Sequence, residues 1–305
     1  MYRLSPEQIS SFQSVRDRLA PEARDWVDAV SIEAIEGAHF AARHWNFDLP
    51  GHAVLETFGP DATADLQRGL IATWGLEMPA RIDAENLPDE ILELYPFWID
   101  KLAEWLMAQE GDYDPDFWAK DVRLVLVLSV PGSKTQSIDL TTPLGPGQIV
   151  RHALGGRGLG PLWAYAKVQG WRRTWLQTHT EARHTDDFNE AGWDRLWMSA
   201  GALCLSRPDV AGMIGASWFF DPPLETISPR LAYLRVNPLK GGAFLVHQGP
   251  GDIHSERAGA TSPTRRALIE SGDYVPHSWL LAWPRNTLIP WRQGRMKPSG
   301  SAGHD

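Results

Sequence analysis

The segment His179-Thr180-Glu181-Ala182-Arg183-His184 sets a potential base, a carboxylate and a fixed positive charge within six residues. It closes a run from Thr174 to Thr180 that reads as a strand. If the strand continues to Arg183, the side chains of His179, Glu181 and Arg183 project from one face, because alternate strand residues do. A histidine or glutamate so placed can take a proton from a substrate amine while the arginine holds the substrate. Strand ends are also where α/β folds commonly hold ligands. The plainer reading of the same residues is a polar strand exit with a Glu–Arg pair at i, i+2.

Other chemistry-bearing residues are scattered. Asp221 follows the apolar run Val210 to Phe220 and is held by Pro222 and Pro223. An aspartate there can orient a histidine, bind a substrate amine or cap the next turn. Arg265 and Arg266 offer two guanidinium groups to an anionic substrate from the first turn of a helix capped by Ser262. Cys204 falls on an apolar helical stripe, which reads as packing rather than as a nucleophile.

Arg157-Gly158-Leu159-Gly160 lies between an expected short strand, Ile149 to Leu154, and an expected helix, Leu162 to Val168. Glycines at such a junction let backbone N–H groups approach an anion, and the following helix turns its positive end toward it. This order of elements resembles the acyl-CoA-binding core of the GNAT N-acyltransferase superfamily, whose Arg/Gln-x-x-Gly-x-Gly/Ala turn cradles the CoA pyrophosphate. Arg157 and Gly160 match its first and fourth positions, while Leu162 stands where the family has Gly or Ala. The resemblance spans roughly Val122 to Arg183. It implies acyl transfer from acyl-CoA to a small amine, with Arg157, Gly158 and Gly160 at the pyrophosphate, His179 or Glu181 as base, and no metal.

A competing resemblance uses the same histidine. His-x-Glu on a strand with a distant histidine resembles the facial triad of non-haem iron, 2-oxoglutarate-dependent oxygenases. It implies Fe(II) on His179, Glu181 and His247, or His254 in place of His247, with Arg257 pairing the 2-oxoglutarate carboxylate. Against this, the strongest helical pattern of the chain separates His179 from His247. A third class, a non-catalytic ligand-binding protein whose tryptophans line a pocket or interface, stays open.

The elements that must position these groups fall into two patterns. Residues 1–118 read as a helical region: Ser5-Pro6-Glu7-Gln8 is a capping box with Pro at the first helical position, and the expected helix runs to about Leu19. Pro21 starts a second helix, and Ile91 to Met107 reads as a helix interrupted near Pro96. Residues 50–88 are punctuated by prolines too often for long elements.

From 119 to 291 the chain alternates, which predicts a mixed α/β domain. Val122 to Leu128 is an apolar run expected to form a buried strand. Trp193, Leu196, Trp197, Ala200, Leu203 and Cys204 make one continuous stripe on a helix from about Phe188 to Leu205. Strands are expected at Val210 to Phe220, Gly242 to His247 and Ser278 to Trp283, with a helix over Thr264 to Ser271 ended by Gly272. The polar, Gly/Ser-rich residues 292–305 read as a disordered tail.

Composition narrows the function classes. A formal net charge of −9 over 305 residues argues against coating nucleic acid. One cysteine cannot form an internal disulfide, so a reducing, cytoplasmic setting is expected, and no apolar run is long enough for a membrane span. No Gly-x-Ser-x-Gly turn, Walker loop or His-Glu-x-x-His motif is present. Fifteen tryptophans suit either core packing or an aromatic-lined pocket. The expected partner is a small molecule.

Overall fold

The computed structural model of the protein describes residues 1–42, 45–59 and 62–296. They divide into two compact units, Met1–Asp139 and Leu140–Asp305, the second described through residue 296. Parallel and antiparallel strand pairs coexist among abundant helices, so the fold class is mixed α/β.

The first unit is led by eight helices: α1 (Pro6–Asp17), α2 (Pro21–Asp28), α3 (Ile32–Ala41), α4 (Leu49–Phe58), α5 (Ala64–Ala84), α6 (Asp89–Leu92), α7 (Tyr95–Ala108) and α8 (Pro115–Val125). Both halves of the expected Ser5/Gln8 capping box form. The segment expected to hold no long element contains the 21-residue α5, which carries Pro79 in its interior. Tertiary packing outweighs the local cost of that proline. Gly69 and Gly75 let Leu19 and Phe12 close on α5; a Cβ on Gly69 would lie 2.3 Å from the Leu19 side chain. Pro96 starts α7 rather than interrupting a helix.

The strand expected at Val122 to Leu128 is instead the end of α8. Asp114 caps α8 through the N–H groups of Asp116 and Phe117, and the apolar run is buried all round, a case in which helix and strand look alike in sequence. Val127 then adopts φ +58°, and the Leu128 N–H reaches back to the Arg123 carbonyl at 2.9 Å. That is a glycine-type helix ending made by a β-branched residue. Two short strands follow, β1 (Ser129–Pro131) and β2 (Gln136–Pro143), paired antiparallel. Arg123 and Asp139, both fully buried, pair at 2.7 Å, and Arg123 also donates to the Phe47 carbonyl and lies over the Phe47 ring.

His39 in this unit is 5% exposed, and burial together with the Arg123 charge pushes its pKa down to about 4. The folded value lies below the unfolded one, so falling pH protonates the unfolded chain first. His39 therefore costs no stability above pH about 6.5 and costs progressively more down to about 4, on the order of 3 kcal/mol in all. Urea melts at pH 7.5 and 4.5 should show the loss, and His39→Gln should reduce the difference between them.

In the second unit the elements are α9 (Pro146–His152), α10 (Gly160–Lys167), β3 (Thr174–Thr180), α11 (Glu190–Ser206), β4 (Val210–Ser217), α12 (Leu224–Ile227), α13 (Tyr233–Lys240), β5 (Phe244–Pro250), α14 (Asp252–Ala260), α15 (Pro263–Glu270), β6 (His277–Pro284) and α16 (Arg285–Met296). Strands β3 and β4 are parallel, joined through α11, while β6 runs antiparallel between β4 and β5. One sheet face carries Trp175, Ile214, Val246 and Leu280 against Ile149 and Tyr165 from α9 and α10. Elsewhere Trp197, Trp283 and Trp291 meet edge to face at 4.8–6.2 Å. These tryptophans are packing residues, and the whole expected stripe of α11 is buried. The tail expected from 292 begins as helix, since α16 continues to Met296; residues 297–305 lie outside the described ones.

Candidate active site

The strand directions bring the C-terminal ends of β3, β4 and β5 to the same edge as the start of β6. Asp221 sits there, 4% exposed, after the single turn Trp218–Phe220 that follows β4. Its Oδ2 accepts from the Tyr274 hydroxyl (3.1 Å) and the His277 backbone N–H (3.0 Å), and its Oδ1 from Trp279 Nε1 (3.0 Å). Asp221 thus fixes the entry of β6; it orients a histidine through its backbone, not its ring. Burial and the Asp221 charge raise the Tyr274 pKa, so the phenol keeps the proton it donates.

His277 and His247 face each other from paired strands, with Nδ1 of His277 2.6 Å from Nε2 of His247. The His247 ring also packs against Trp279, and its backbone N–H donates to Nδ1 of His152 at 3.1 Å. Burial, then the charge of Arg157, then His277 lower the His247 pKa, with Asp221 opposing. His152 is lowered by burial and then by Arg157. The ring roles depend on the tautomer; in the one where Nδ1 of His277 carries the proton, it donates to the Nε2 lone pair of His247. That tautomer leaves a lone pair on Nε2 of His277, which makes no hydrogen bond among the described residues. The pair is arranged as a base and the group that orients it.

Arg157 therefore lies within electrostatic reach of His247 and His152. Its setting differs from the one expected. Ile149 to Leu154 is helix α9 and a wide turn, Ala153–Arg157, rather than a strand, so the turn joins helix to helix. Gly145 and Pro146 start α9 ahead of the expected strand, so that Ile149 already lies within the helix, and Leu154 is 84% exposed, as no inward strand residue would be. Gly156 (φ +73°) and Gly158 (φ +97°) occupy left-handed backbone that the bend requires. A Cβ at Gly156, Gly158 or Gly160 would meet nothing within 4 Å, so this backbone is open to approach.

His179, Glu181 and Arg183 do not form one face. β3 ends at Thr180 and the chain turns, letting Glu181, 2% exposed, bind Arg183 through Nε (3.1 Å), Nη2 (2.9 Å) and the backbone N–H (3.0 Å). Glu181 is thus held by Arg183 at the exit of β3.

The iron triad fails on strand geometry. His179 alternates with Trp175 and Gln177 and so shares the face of Ile214, whereas His247 lies opposite the face carrying its neighbour Val246. Among the described residues no group of three His, Cys, Asp or Glu could hold a metal ion. His254 is on α14, and its pKa is lowered by burial and then by Arg257.

Two other candidates are structural. Arg265, 2% exposed, donates to the Ala258 carbonyl, Ser228 and Thr261 and lies over the Trp218 ring. Burial pushes the Cys204 thiol up to about 12, which removes it as a nucleophile. No helix among the described residues is long and apolar enough to cross a membrane.

No family model matches the chain, and no curated protein matches it. A solved structure, an acyltransferase in complex with decanoyl-CoA and teicoplanin, is 13% identical, with 93% of this chain and 90% of that chain covered at a TM-score of 0.45.

Proposed function

We propose that the protein is an acyl-CoA-dependent N-acyltransferase of small amines, in which His277 is the base and the Arg157 turn binds the CoA phosphates. The observation that carries this reading is the 2.6 Å His277–His247 pair beside the field of Arg157. The amine gives its proton to Nε2 of His277, its nitrogen bonds to the acyl carbon, the carbon–sulfur bond breaks, and His277 passes the proton to the departing sulfur, which leaves as the CoA thiol. A cation whose charge reaches His247 serves both ends of the reaction: it attracts the phosphates and disfavours protonation of His247, so that His247 goes on accepting from His277. Leu154 and Leu159, 84% and 61% exposed on either side of Arg157, offer apolar contact to the acyl-pantetheine arm.

The test is thiol release from acetyl-CoA and decanoyl-CoA against a panel of primary amines. Arg157→Gln should weaken CoA binding by about tenfold. It should also move the acid limb of the pH–rate profile upward, because removing the positive charge lets His247 protonate at higher pH. Thiol release that is absent for every amine, or an acid limb that moves downward, defeats the proposal.

A further inference from the structure

We infer that the second unit carries another anion site, at the sheet edge opposite the His247–His277 pair, for a small molecule that joins a phosphate to an apolar body. The groove measures about 390 Å³ and is lined by Lys167, Val168, Arg173, Arg285, Asn286, Ile289 and Pro290. Its place follows from the strand directions: Arg173 immediately precedes β3, and Arg285 immediately follows β6, which runs the other way. These are the strand ends farthest from the histidine pair.

Three cations line this groove, and among the described residues none has a carboxylate within 4 Å. In a chain of net charge −9 that local excess runs against the average. Arg285 donates to the carbonyls of Cys204 (2.8 Å) and Pro208 (3.1 Å) near the C-terminus of α11, which orients its guanidinium without neutralising it, and its buried Nε makes no hydrogen bond. Like charges gathered without counter-charges repel, and a bound phosphate relieves that repulsion. Val168, Ile289 and Pro290 supply an apolar wall, and the volume suits a ligand the size of a mononucleotide.

The experiment titrates inorganic pyrophosphate and AMP into the full chain at low salt by calorimetry, with Lys167→Gln/Arg173→Gln and Arg157→Gln alongside. Arg285 is left intact because it caps α11. The expected result is an AMP-binding event, separate from any at the Arg157 turn, that the double variant weakens at least tenfold and that persists in Arg157→Gln. The unliganded double variant should melt close to the wild-type temperature, since neither side chain makes a hydrogen bond or ion pair among the described residues. AMP binding that is absent up to about 10 mM, that survives the double variant, or that is lost with Arg157→Gln overturns the inference. So does binding confined to anionic phosphatidylserine vesicles.

Discussion

Asp139→Ala is expected to destabilise the protein by about 3–5 kcal/mol and to lower Tm by on the order of 10 °C. Arg123 and Asp139 have no exposed surface, and their contact is 2.7 Å. Removing the carboxylate leaves a guanidinium in a dry site where, among the described residues, it donates to the Phe47 carbonyl and lies over the Phe47 ring. Desolvation of that lone charge, more than the lost attraction, sets the size of the effect. The comparison that isolates it is Arg123→Met/Asp139→Leu, which removes both charges and should recover most of the stability in urea melts. A double variant no better than Asp139→Ala would show that shape, not charge, dominates there.

His277→Asn should lower kcat by about 10²–10⁴ while leaving acyl-CoA affinity near wild type. The amide retains a polar group facing His247 but has no basic nitrogen to take the amine proton. His247→Gln should act differently, as a positioning change: a smaller fall in kcat and loss of the acid limb set by His247. Equal effects on kcat and on CoA binding in His277→Asn would place His277 in the binding surface rather than at the reacting atoms.

The sequence showed local structure best where side chains act on near neighbours. The Ser5/Gln8 capping box, the Ser262 cap and the α11 stripe are each written within a few residues, and each forms. Val122 to Leu128 misleads because a run buried on every side has no period. Ile149 to Leu154 misleads because apolar residues there are partly exposed and obey no inward alternation. The candidate site was half visible. Asp221, His247 and Arg157 stood out by residue type, but His277, His152, Tyr274 and Trp279 did not. His277 meets His247 across 30 residues, and the Asp221 carboxylate accepts its backbone N–H across 56. Only the placement of β6 between β4 and β5 brings them together, and no local pattern encodes that order.

That insertion also sets a clock. β4 ends at Ser217, yet its antiparallel neighbour β6 is not complete until Pro284. At roughly 5–20 residues per second the nascent chain waits several seconds between them. Throughout that interval Asp221 has none of its three donors, since Tyr274, His277 and Trp279 all arrive with β6 or just ahead of it. The histidine pair therefore cannot form before residue 277 has been made, and a ribosome that stalls before residue 274 leaves a chain with the β6 side of β4 unpaired.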